Sequence, residues 1–102
     1  MVFRIDKYQE LILNLCNRYH VKRLELFGSA LRDDFDWENS DLDFLIEFAD
    51  NRTTGAFDRY FGLKEELERL FKRPVDLVEE RAIKNPYFRQ EIERDKILVY
   101  GN

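Results

Sequence analysis

Tyr8, Leu11, Ile12, Leu15, Cys16 and Tyr19 recur at i, i+3, i+4, i+7, i+8 and i+11, one apolar stripe of an amphipathic helix. Asp6 followed by Gln9 has a capping-box arrangement, so the spacing predicts a helix over residues 6–19. Residues 22–27, KRLELF, alternate with Leu24 and Leu26 on one side and predict a strand that stops at Gly28. A short helical turn is expected over 29–33 and a polar loop from Asp34 to Ser40. LDFLIEF, residues 42–48, predicts a second strand, and Asn51 to Gly55 has turn chemistry. Phe57, Tyr60, Phe61, Leu63, Leu67, Leu70 and Phe71 predict a second amphipathic helix, its aromatics core by spacing, ended by Lys72-Arg73-Pro74. VDLVE, residues 75–79, reads as a third strand. Asn85-Pro86 reads as a cap with a first-turn proline, opening a third helix that carries Phe88 and Ile92 inward. Ile97 to Tyr100 reads as a short last strand whose partner and register the pattern does not set.

The expected order is α-β-(turn)-β-α-β-α-β. The fold class is α+β, a two-layer arrangement of a small mixed sheet with helices packed on one face. With 102 residues and short connections, one domain over 1–102 is expected. Hydrophobic residues at 44% and aromatics at 15% suffice for one packed core and argue against disorder. A net charge of −4 gives no general footprint for nucleic acid or membrane. Cys16 is the one cysteine, so an intrachain disulfide is excluded, in keeping with a reducing cytoplasm. No run approaches the roughly 20 apolar residues of a membrane helix, and Met1 to Glu10 lacks a signal-peptide core. A cytoplasmic protein is expected.

Two acids interrupt the second strand. With period 2, Leu42, Phe44, Ile46 and Phe48 share one face, and Asp41, Asp43, Leu45 and Glu47 the other. Asp41 and Asp43 then project together, about 6.5–7 Å apart at Cα. Like charges in a poorly hydrated cleft repel, and a divalent cation removes that penalty. Hard cations such as Mg²⁺ take carboxylate and phosphate oxygens, and a two-metal site needs shared carboxylates. Asp76 stands in the third strand where an apolar residue is expected. If the strands are neighbours, it completes a triad as metal ligand and general base for an attacking hydroxyl. The plain alternative is a solvated sheet face, to which Glu47 is assigned.

Gly28-Ser29 closes the first strand. Backbone N–H groups at a helix start attract anions, and glycine allows a phosphate close to the backbone. The Ser29 hydroxyl adds a donor, and Arg32 one turn on can reach the same phosphates or serve as a surface arginine paired with a neighbouring acid. The G-x-x-x-x-G-K-[ST] loop is absent. Most Gly-Ser pairs are ordinary caps, so the signal is the whole succession of strand, Gly-Ser, turn, loop and Asp-x-Asp.

That succession, "GSALRDDF…SDLDFLIEF" with VDLV and NPYFRQEI beyond it, resembles the minimal nucleotidyltransferase (MNT) family of the DNA polymerase β superfamily. The resemblance implies a polymerase-β-like nucleotidyltransferase fold. It implies Mg²⁺ held by Asp41, Asp43 and Asp76, triphosphate bound by Gly28, Ser29 and Arg32, ATP as substrate, and in-line attack on the α-phosphorus. It also implies a partner, a HEPN-domain ribonuclease toxin whose tyrosine receives AMP and which is thereby neutralised, with the two proteins able to form an oligomer. Ala30 stands where many members carry arginine, and Asp33 replaces the usual glycine after the motif arginine. Alternatives are a non-catalytic antitoxin that neutralises by complex formation, and a small-molecule nucleotidyltransferase. His20 reads as a capping or surface residue, Cys16 as core, Trp37 as packing under its loop, and Lys72-Arg73 and Arg81–Lys84 as solvated charge.

Overall fold

The computed structural model describes residues 5–32, 35–36, 39–50 and 55–101. Asp33, Asp34, Trp37 and residues 51–54, on which several sequence expectations fall, lie outside the described residues.

Helix α1 (Gln9–Arg18) is followed by strand β1 (Val21–Phe27), strand β2 (Leu42–Phe48), helix α2 (Ala56–Phe71), strand β3 (Val75–Glu79), helix α3 (Pro86–Asp95) and strand β4 (Ile97–Tyr100). Every element expected from the pattern is present, and the fold is the expected α+β. A 3-10 turn, Ile5–Tyr8, leads into α1. Asp6 therefore falls within that turn, and Tyr8 occupies the N-cap position without a side-chain cap. The Asn85 cap of α3 forms as expected, its side-chain oxygen accepting from the N–H groups of Tyr87 and Phe88.

The sheet runs β3-β2-β1-β4. β1 lies antiparallel to both β2 and β4, whereas β2 and β3 are parallel. A parallel neighbour needs a crossover, and α2 supplies it. This parallel register sets Asp76 opposite Asp43.

Leu24, Leu26, Leu42, Phe44 and Ile46 form the main core with Ile12, Leu15 and Cys16 of α1 and Leu63, Leu67 and Phe71 of α2. Phe27 and Leu45 alternate to the other face. There they form a second cluster with Ile92 of α3. One detail of the expected packing thus differs: α1 and α2 share a face, and α3 lies across the opposite one. The reason is that Phe27 and Leu45 leave an apolar patch beside the acids, and Ile92 covers it.

The aromatics of α2 also differ from expectation. Phe57 and Phe61 are 71% and 43% exposed and pack on one another with ring centroids 4.5 Å apart. The buried stripe is Arg59, Leu63, Leu67 and Phe71, one step round the helix. Arg59 is 8% exposed, with its guanidinium 4.1 Å over the Phe48 ring and bonded to Asp50 at 2.9 Å. Its aliphatic stem and stacked head let a cation occupy a stripe position. Tyr60 is half-buried, and its hydroxyl donates to the Leu77 carbonyl.

Candidate active site

The expected site residues lie at the ends of β1, β2 and β3. Gly28 follows β1 with φ +81, a left-handed conformation that side chains rarely adopt. A Cβ there would stand 2.4 Å from Asp43 Oδ2. The glycine is therefore required twice, for its backbone angle and for the approach of the acid. Ser29 lies in the 3-10 turn Gly28–Leu31, and Arg32 follows it, exposed. Ala30 is buried in the main core. An arginine at that position would have no room, so its small size answers to packing.

Asp43 is half-buried, while Asp41 and Asp76 are exposed. The Asp43 carboxyl is pushed up to about 6, first by burial, then by the negative charges of Asp76 and Asp41. The three acids thus share one neighbourhood. Among the described residues, however, no three His, Cys, Asp or Glu side chains are close enough together to hold a metal ion as placed. The donor chemistry still fits Mg²⁺: all the ligands are oxygens, and one carboxylate is desolvated beside two others. Glu47 behaves as expected, paired with Arg23 at 3.0 Å and Lys22 at 3.6 Å.

Asp43 stands between two distinct spaces. On the β3 side is Asp76. On the β1 side is a cleft of about 310 Å³ bordered by Phe27, Gly28, Ser29, Arg32 and Asp43. Its other wall is α3, through Phe88, Glu91, Ile92, Arg94 and Asp95. This volume lies at the small end of ligand pockets and suits a phosphate chain. A larger groove of about 800 Å³ lies between Asp6 and Lys7 of the N-terminal turn, Glu10 and Leu13 of α1, and Leu98 and Tyr100 of β4. It holds none of the acids expected to react.

The α3 wall is the part of the site that sequence reasoning missed. Its signal was available: Phe88, Glu91, Ile92 and Asp95 recur at i, i+3, i+4 and i+7. Two acids on an otherwise inward stripe mark a cleft border rather than a core. The helix is held in place by Ile92, by Arg89 bonded to Glu80 at 2.6 Å, and by Lys96 just beyond it. Lys96 lies 3.1 Å from Glu25, a buried acid on the same sheet face, and 3.1 Å from Glu93.

The sheet order and its helices are those of a minimal nucleotidyltransferase fold. The family model described as "Nucleotidyltransferase domain" matches residues 9–99, and the chain belongs to that family. It is 40% identical over 85 residues to "Putative protein adenylyltransferase MJ1379" of Methanocaldococcus jannaschii, covering 83% of each chain. A solved structure described as "putative minimal nucleotidyltransferase" superposes with TM-score 0.72 at 34% identity, covering 93% of this chain and 95% of that one. The fold is also that of the MNT antitoxin complex with a tri-AMPylated HEPN toxin from Shewanella oneidensis. There the TM-score is 0.65 at 19% identity, over 97% of this chain and 74% of that one.

Among the described residues, no helix is long and apolar enough to cross a membrane.

Proposed function

We propose that this protein is a Mg²⁺-dependent protein adenylyltransferase of the cytoplasm, an antitoxin that transfers AMP from ATP to a tyrosine hydroxyl of a HEPN-domain toxin. The observation that carries the reading is the in-register pair Asp43 and Asp76 beside the Gly28 turn, inside a matched nucleotidyltransferase domain. The adenylyltransferase relative and the fold of the toxin–antitoxin complex support the acceptor class.

In this reading Gly28 brings the backbone close to the triphosphate, Ser29 donates a hydrogen bond to it, and Arg32 adds charge. Asp41, Asp43 and Asp76 would hold Mg²⁺, which when bound would offset charge on the phosphate oxygens. Asp76, on the open side of Asp43, accepts the proton of the acceptor hydroxyl. The acceptor oxygen forms a bond to the α-phosphorus as the bond to the β-phosphate bridging oxygen breaks. Pyrophosphate leaves with the electron pair. Asp43 lies between the Gly28 cleft and Asp76, so phosphate and acceptor would approach it from different sides. One domain over 1–102 carries all of these residues.

The test is incubation with α-labelled ATP, Mg²⁺ and the HEPN partner. Label should appear on the partner and be abolished by the double variant Asp41→Asn, Asp43→Asn. Undiminished transfer by that variant would overturn the reading. A second reading, neutralisation by complex formation alone, is motivated by Ala30 and Asp33, which depart from the family motif. Under it, the same double variant still neutralises the partner.

A further inference from the structure

We propose that Arg94 is a second triphosphate-binding arginine of the cleft, acting from the α3 wall opposite Ser29. The inference rests on the nucleotidyltransferase reading and extends it to a helix that the Gly-Ser and Asp-x-Asp motifs do not reach.

The first argument is charge. The cleft is bordered by three carboxylates, Asp43, Glu91 and Asp95, and by two cations, Arg32 and Arg94. With Arg32 alone, the walls would carry an excess of negative charge toward an anionic ligand. A triphosphate entering such a space meets repulsion that a second guanidinium offsets.

The second argument is the contrast between Arg94 and its neighbours. Arg89 of the same helix is committed to Glu80 at 2.6 Å. Lys96 is committed to Glu25 and Glu93, each at 3.1 Å. Arg94 has Glu91 three residues before it and Asp95 beside it, yet among the described residues it enters no salt bridge. Arg94 thus lines the cleft as an exposed residue whose guanidinium donors enter no ion pair among the described residues. Those donors are planar, permanently charged and matched to paired phosphate oxygens.

The third argument is rigidity. Arg94 sits on a helix fixed by the Asn85 cap, the Ile92 wedge and the Lys96 ion pairs. Such an element fixes the position from which the Arg94 side chain reaches the cleft. The plain alternative is that Arg94 only complements the dipole at the C-terminal end of α3. That role affects stability and is indifferent to the number of phosphates on a ligand.

The test is calorimetric titration of the full chain with Mg²⁺ and the non-hydrolysable probe α,β-methylene-ATP, with AMP in parallel. Arg94→Ala should weaken the triphosphate probe about tenfold while leaving AMP affinity and the melting temperature in place. Arg94→Lys should retain most of the affinity. Unchanged affinity of Arg94→Ala for the triphosphate probe, or an equal loss for AMP, would overturn the inference and leave the nucleotidyltransferase reading standing. Absence of probe binding by the unaltered protein would overturn both.

Discussion

Gly28 and Asp43 approach so closely that a methyl group on Gly28 would lie 2.4 Å from Asp43 Oδ2. The turn and the acid are one unit, joined across the β1–β2 ladder where Phe27 faces Asp43. Gly28→Ala should therefore destabilise the fold by about 2–4 kcal/mol, from the left-handed backbone angle and the overlap together. Urea unfolding measures the loss. The cost of Gly28→Ala should shrink in an Asp43→Ala background by more than about 0.5 kcal/mol, and an unchanged cost would show that the backbone angle alone sets it.

Asp43 also bears on pH. Its carboxyl is raised from 3.8 to about 6, so between those values the native state binds more protons than the unfolded chain. The metal-free protein should lose stability as pH rises through this window and remain lower above it. Asp43→Asn removes the cost. In EDTA at pH 7 it should be more stable than the unaltered protein by about 1–2 kcal/mol, the full shift being discounted for partial exposure. Added Mg²⁺ should narrow the gap, since only the carboxylate form gains from the cation. Thermal melts with and without Mg²⁺ check both statements.

The elements and acids were legible because they follow short-range rules. The β2 pattern put Asp41 and Asp43 on one face, and Asp76 stood out as a charge in VDLVE. What period 2 could not supply was β4's place beside β1, which depends on pairing between distant segments. Nor could it show that Leu45 and Phe27 need a cover of their own, which brings α3 to the acid face. In α2 the aromatic count pulled the expected core toward Phe57 and Phe61. Arg59 takes that stripe instead, because Phe48 and Asp50 wait for a stacked, hydrogen-bonded cation. Arg94 was unreadable for a related reason: a cleft wall is defined by what it faces across space.

Glu68 ties the end of α2 to the start of β3. Its carboxylate accepts from the Val75 N–H at 3.0 Å and from Lys64 at 3.2 Å. The Val75 hydrogen bond holds its pKa below the ordinary value of 4.5, against the opposing effect of burial. A depressed acid stabilises the fold above its unfolded pKa, and the benefit fades as pH falls through the folded value. Glu68→Gln should cost about 1 kcal/mol at pH 7, and that difference should shrink in acid. Because Val75 precedes Asp76, the variant should also slow AMP transfer. Denaturant melts at several pH values, with the labelled-ATP assay, measure the two effects separately.

Ile92 is the buried apolar contact of α3 with the sheet, 1% exposed against Phe27 and Leu45, beside an edge contact of Phe88 with Phe27. Ile92→Ala should cost about 2–5 kcal/mol. Since α3 is also a wall of the cleft, nucleotide affinity should fall more than in a core variant such as Leu67→Ala of similar stability loss. Titration of both variants with α,β-methylene-ATP decides this.

The parallel pairing of β2 with β3 has a consequence for how activity fails. β4, β1 and β2 form an antiparallel ribbon that joins Gly28 to Asp43 through β1–β2 pairing alone. Asp76 arrives only on a five-residue strand at the sheet's edge, after the α2 crossover. An opening that released β3 would separate Asp76 from Gly28 and Asp43 while leaving the ribbon folded. Such a molecule could still take up nucleotide and yet transfer nothing, so heat or denaturant should abolish turnover before it abolishes nucleotide binding.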